Sequence, residues 1–121
     1  MLESAEAVLA VTPTLPPGDE DRRVDIGILG AYPRGAECAY EVRAIFSNDR
    51  REIVEDPVTG SLNASLAQWL IGSGRFRPPY VTSQGTLLRR TGRPHISQDA
   101  DGSIWVAGDT HTVIEGSVEV D

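Results

Sequence analysis

Seven consecutive residues hold the groups best suited to chemistry in this 121-residue chain: Glu55-Asp56-Pro57-Val58-Thr59-Gly60-Ser61. Asp56 precedes a proline, which disfavours α geometry and predicts an extended loop there. Thr59 or Ser61 suits the N-cap of a helix that follows. The N–H groups of Gly60, Ser61 and Leu62 would then point outward with the helix dipole behind them. Gly60 would let a ligand approach the backbone closely. A carboxylate beside open N–H groups is a place to hold a small acid and to move a proton on it. On spacing alone, capping by acids before a helix is the commoner role for such residues, and the pattern leaves both roles open.

The elements that must position this loop are legible on either side of it. From Ser61 to Ile71 the chain reads as a helix, with Leu62, Leu66, Trp69 and Leu70 on one stripe. No residue from 57 to 74 is charged, which predicts a helix buried on most sides; Gly72-Ser73-Gly74 stops it. Upstream, Val24, Ile26 and Ile28 alternate with Asp25 and Gly27, and Tyr40, Val42, Ala44 and Phe46 alternate with Glu41 and Arg43. These read as two antiparallel strands with one polar face each. Residues 48 to 54 read as polar and irregular.

Residues 3 to 11 read as a short helix ended by Pro13, Pro16, Pro17 and Gly18, with Asp19-Glu20-Asp21 as a solvated loop. Downstream, residues 80 to 84 suit a strand. Residues 94–97 and 103–107 suit a hairpin over Asp101-Gly102, and 110–114 should pair with 117–120 across Glu115-Gly116. The sum is an α+β chain, one domain over residues 1–121, with about seven short strands in an antiparallel sheet around one buried helix.

Composition removes several chemistries. Net charge is −7, which argues against nucleic acid and anionic membranes as partners. All eleven basic residues are arginine, so the chain has no lysine for a pyridoxal-phosphate Schiff base or a phosphate-binding P-loop. Cys38 is the one cysteine, which rules out an internal disulfide and a two-thiol racemase within one chain. No apolar run approaches the roughly 18–20 residues of a membrane span. The acidic N-terminus lacks the basic start of a signal peptide, so the expected location is cytoplasmic. His95 and His111 have no ligand spacing, and no metal is expected. Cys38, Trp69 and Trp105 read as packing residues, and the arginines at 75, 77, 89, 90 and 93 as a solvated face.

The Glu55–Ser61 motif, with Asn63 shortly after, resembles the signature of the phenazine-biosynthesis PhzF-like family. Gln84-Gly85-Thr86 followed by Arg89 and Gly92 is similar to that family's downstream pattern. So are Val106-Ala107-Gly108 through Val113-Ile114-Glu115-Gly116, and the opening Ser4-Ala5-Glu6-Ala7-Val8-Leu9 is similar to the start of its second domain. The resemblance implies one half of a diaminopimelate-epimerase-like fold, in which each of two domains wraps a barrel-like antiparallel sheet around a central helix.

It also implies a cofactor-independent isomerase or epimerase acting between the domains by proton transfer on a small carboxylated, amino-bearing substrate. Asp56 would shuttle the proton or orient the amine, and Gly60 and Ser61, with Thr59 beside them, would hold the carboxylate. Gln84 is placed near the site by the resemblance alone. The family's catalytic glutamate belongs to the first domain, which this chain does not match. The expected partner is therefore a second copy, in a homodimer, or a separate first-half chain. The alternative is a catalytically inactive domain that binds a small acid or serves assembly.

Overall fold

The computed structural model describes residues 1–14 and 23–120, so the acidic loop expected at 19–21 lies outside the described residues. The first helix, α1 (Ala5–Ala10), starts where Ser4 Oγ accepts a hydrogen bond from Ala7 N–H at 3.1 Å. It is followed by β1 (Asp25–Ala31), β2 (Tyr40–Ser47) and β3 (Ile53–Asp56). The second helix, α2 (Gly60–Gly72), is followed by the short strands β4 (Tyr80–Val81) and β5 (Ser83–Gln84), then by β6 (His95–Gln98) and β7 (Ile104–Ala107).

Two sheets form. In the first, β1, β2 and β3 run antiparallel, and β5 joins β2 in parallel. In the second, β4, β6 and β7 run antiparallel, with the expected hairpin between β6 and β7. The architecture is thus mixed α/β with antiparallel sheets, broken by one parallel pairing. No closed barrel forms among the described residues.

The core gathers Leu29, Tyr40, Val42 and Leu70, with Leu62, Leu66, Phe76 and Tyr80 packed against them. Tyr40 and Phe76 meet edge to face at 5.1 Å between ring centroids. Burying a residue such as Leu70 is worth roughly 1.5–3 kcal/mol.

Four sequence expectations, besides those for β2 and the helix cap, need correction. First, α2 is not buried on most sides. Asn63, Ala67 and Leu70 are buried, whereas Ser61, Ser65, Gln68 and Trp69 face out. Uncharged polar residues supply its wet face, so the lack of charge misleads. Second, Trp69 and Trp105 are not core; they are 44% and 57% exposed. The Arg75 guanidinium lies over the Trp69 ring, and Trp105 Nε1–H donates to Asp99. Third, the segment before Asp56 is a strand, β3, held by β2 in the register Ala44↔Asp56. Fourth, the pair of strands expected over 110–120 does not form. That segment carries neither helix nor strand and is exposed, because a lone hairpin without a sheet to join is marginal in water.

The strand β2 departs furthest from its pattern. Its alternating Glu41 and Arg43 read as a wet face, yet both are buried. Arg43 is enclosed by α1 and β3. Its Nη1 donates to the carbonyls of Val8 (3.0 Å) and Val11 (2.6 Å), and its Nε and Nη2 both reach Glu55 Oε2, at 3.1 and 2.8 Å. One guanidinium therefore ties the end of α1 to the strand that carries Asp56. Removing one partner of such a pair leaves an uncompensated buried charge, at a cost of about 3–5 kcal/mol. Arg43→Ala is expected to lower unfolding free energy by that amount in urea titrations; a loss under about 1 kcal/mol would show that the pair is not structural.

Candidate functional site

Asp56 is the last residue of β3, and the chain turns there through Pro57 and Val58 into α2. Thr59 stands at the N-cap position with extended backbone, but its side chain makes no capping bond. Its Oγ1 donates instead to Asp56 Oδ2, at 2.6 Å. Ser61 lies within the first turn and does not cap either. Both candidate caps thus differ from expectation. With no side-chain cap, the N–H groups of Gly60, Ser61 and Leu62 stay open at the positive end of a helix of 13 residues. A Cβ built on Gly60 would meet nothing within 4 Å, so the backbone there is open to approach.

The loop is held by Gln84, on β5. Its Oε1 accepts from Thr59 N–H at 3.1 Å and from Asn63 Nδ2 at 2.8 Å. Its Nε2 donates to the Asp56 carbonyl at 3.1 Å and to Thr59 Oγ1 at 3.0 Å. Asn63 Nδ2 also donates to the Thr59 carbonyl, and its Oδ1 accepts from Thr82 Oγ1 at 2.9 Å. Asn63, Thr82 and Gln84 are fully buried. Every link has one workable direction. A flipped Gln84 would set its NH₂ against Thr59 N–H and its oxygen against the Asp56 carbonyl. Because Thr59 Oγ1 accepts from Gln84, its single hydrogen is committed to Asp56.

Two glycines complete the seat. Gly85 has φ +86°, and a Cβ there would stand 2.6 Å from the Pro57 carbonyl oxygen. A Cβ on Gly92 would collide with Val58 and with the Gln84 carbonyl. The 57–58 turn can rest on this segment only because both side chains are missing.

The start of α2 separates two depressions. One, of about 400 Å³, is lined by Val58, Gly60, Gly92, Arg93, Val106 and Asp109 among others. The other, of about 290 Å³, is lined by Asp25, Ile26, Ala44, Thr59, Ser61 and Leu62 among others. Of the sequence-read residues, Gly60 lines the first depression and Thr59 and Ser61 the second, while Asp56, bonded to Thr59, is among the lining of neither. Glu55 does not join them, since Arg43 holds it.

Other polar groups sit apart. Tyr32 O–H donates to the buried Glu41 at 2.8 Å, and burial, reinforced by that carboxylate, pushes the Tyr32 phenol up to about 12. Cys38 is buried, and burial raises its thiol, which keeps it protonated and a poor nucleophile. No group of three or more His, Cys, Asp or Glu residues that could hold a metal gathers among the described residues. None of their helices is long and apolar enough to cross a membrane.

The resemblance had placed Gln84 near the site and Asn63 beside the motif, but sequence reasoning missed Thr82 and the bonds that join the three.

These features belong to a mixed α/β chain with a polar loop locked at a helix start. The family model described as phenazine biosynthesis-like protein, PhzC-PhzF, matches residues 1–116. The chain belongs to that family, whose membership implies isomerase- or epimerase-type chemistry in general. Comparison with curated proteins and with solved structures gives no match.

Gln84→Leu would remove the partner of the part-buried Asp56 carbonyl and Thr59 N–H and of one buried Asn63 N–H, at about 1–3 kcal/mol each. The expected outcome is a loss of at least about 3 kcal/mol in unfolding free energy, with amide exchange rising first over residues 56–63. Unchanged exchange there would show that the amide does not hold the loop.

Proposed function

We propose that this chain is the second-domain half of a cofactor-independent isomerase or epimerase that moves a proton on a small carboxylated, amino-bearing substrate. The carboxylate sits at the open N–H groups of Gly60 and Ser61, beside Thr59. Asp56 shuttles the proton or orients the amine. The observation that carries this reading is the uncapped start of α2 beside an acid whose one side-chain partner among the described residues is the Thr59 hydroxyl. Family membership supports the reaction class.

Taking a proton from a carbon and returning it to a different position or face calls for a well-placed second group. The loop supplies one free acid, Asp56, because Glu55 is engaged by Arg43. The second group therefore comes from a separate first-half chain or from a second copy. Exposed apolar side chains at Phe46, Val58, Trp69 and Leu87 support a pairing surface. The same single acid favours a second reading, an inactive domain that binds a small acid or serves assembly.

Incubation in D₂O with small amino acids and carboxylic acids separates the two. The enzyme reading expects deuterium to enter a substrate C–H position, and Asp56→Asn to slow this about 10²–10⁴-fold at unchanged stability. Full exchange by that variant would sink the role of Asp56. Amide shifts over residues 59–62 without any exchange would leave the binding reading. Light scattering is expected to show a mass rising with concentration toward twice 13.1 kDa. A mass fixed at one chain would point to a separate first-half partner.

A further inference from the structure

The two carboxylate oxygens of Asp56 have different surroundings. Oδ2 accepts from the Thr59 hydroxyl at 2.6 Å. Oδ1 takes no hydrogen bond from the described residues, on a side chain that is half-buried.

The bond to Oδ2 is the last of a chain of four. Thr82 Oγ1 donates to Asn63 Oδ1 at 2.9 Å, and Asn63 Nδ2 donates to Gln84 Oε1 at 2.8 Å. Gln84 Nε2 donates to Thr59 Oγ1 at 3.0 Å, and Thr59 donates to Asp56. Two backbone groups fix the direction. The Thr59 N–H can only donate, so Gln84 turns its oxygen there; the Thr59 carbonyl can only accept, so Asn63 turns its NH₂ there. Thr82, Asn63 and Gln84 are fully buried, so the first links exchange nothing with water.

A proton on Oδ2 would leave the Thr59 hydrogen with no acceptor among the described residues. Oδ1 is therefore the oxygen of this carboxyl that can take up and release a proton while the chain stays intact.

We infer that Thr59 is a positioning residue that makes Asp56 a one-oxygen base, with Oδ2 held as an acceptor and Oδ1 carrying the moving proton. The inference rests on the proposed function and names its reacting atom. Oδ1 takes a proton from a substrate C–H and becomes O–H, while the electron pair of that bond stays on the substrate. The second group of the proposed pair then protonates the substrate at the other position or face, and a proton passed through water from Asp56 to that group resets both. The same arrangement sets the ligand chemistry at this atom. An ammonium, a hydroxyl or an acidic C–H suits Oδ1, whereas a carboxylate there would meet like charge.

The first measurement needs no substrate. In ¹H spectra of the whole chain, the Thr59 hydroxyl proton is expected to be protected from exchange and coupled across the bond to the Asp56 carboxyl carbon. Rapid exchange with water, or coupling to another acceptor, would overturn the inference.

The second follows deuterium entry into an acid that the wild-type chain deuterates. Thr59→Val is expected to lower kcat about 10- to 100-fold, with KM changed less than about twofold. Thr59→Ser keeps the hydroxyl and is expected to recover most of the rate. A Thr59→Val chain as fast as wild type, or Thr59→Ser as slow as Thr59→Val, would overturn the inference and leave the proposed function standing. No exchange by the wild-type chain would remove the proposed function and this role with it. If Thr59→Val does not fold, the wild-type hydroxyl proton decides alone.

Discussion

The candidate site depends on one buried side-chain amide, that of Gln84. It makes four hydrogen bonds, and three of them end on the backbone or hydroxyl of the Asp56–Thr59 turn. Gln84 and Asn63 are themselves fully buried, so a bond that they leave unmade costs the desolvation of the group left behind. The turn therefore has one low-energy arrangement rather than several. That arrangement draws the Thr59 hydroxyl away from the helix N-terminus and toward Asp56. The open helix start and the partnered acid are two results of the same constraint.

A second polar tie works behind the site. Arg43 closes the end of α1 onto β2 and β3 and engages Glu55, the residue beside Asp56. Of two adjacent acids, one is thereby made structural and the other is left to face the loop. Strand alternation is the reason: neighbours on β3 point to opposite faces, so they meet different surroundings. The same alternation on β5 sends Gln84 to the loop and Ser83 to Arg93.

The remaining surface belongs to a chain with unfinished packing. Aromatic and aliphatic side chains at Trp69, Trp105, Val113 and Ile114 lie open, and the segment after β7 follows no sheet. The pairing proposed above draws on these exposed side chains.

Local chemistry made much of this readable beforehand. The β1–β2 pair, helix α2 and the β6–β7 hairpin follow from alternation, from helical spacing and from turn residues, all of which act over a few positions. The motif at Asp56–Ser61 was legible for the same reason, since a proline, a glycine and short polar residues dictate backbone shape on their own. What the sequence left open depended on residues distant along the chain. Whether Thr59 caps α2 was decided by Gln84, 25 positions away. Whether Glu41 and Arg43 face water was decided by what covers β2, and whether α2 is wrapped was decided by how the sheets close. By itself the sequence determined most of the elements, β3 and the 110–120 segment apart, and set Asp56 just ahead of the helix start. Only tertiary structure decided which polar groups that acid and its neighbours spend their hydrogen bonds on, because burial makes partner choice a property of the whole packed chain.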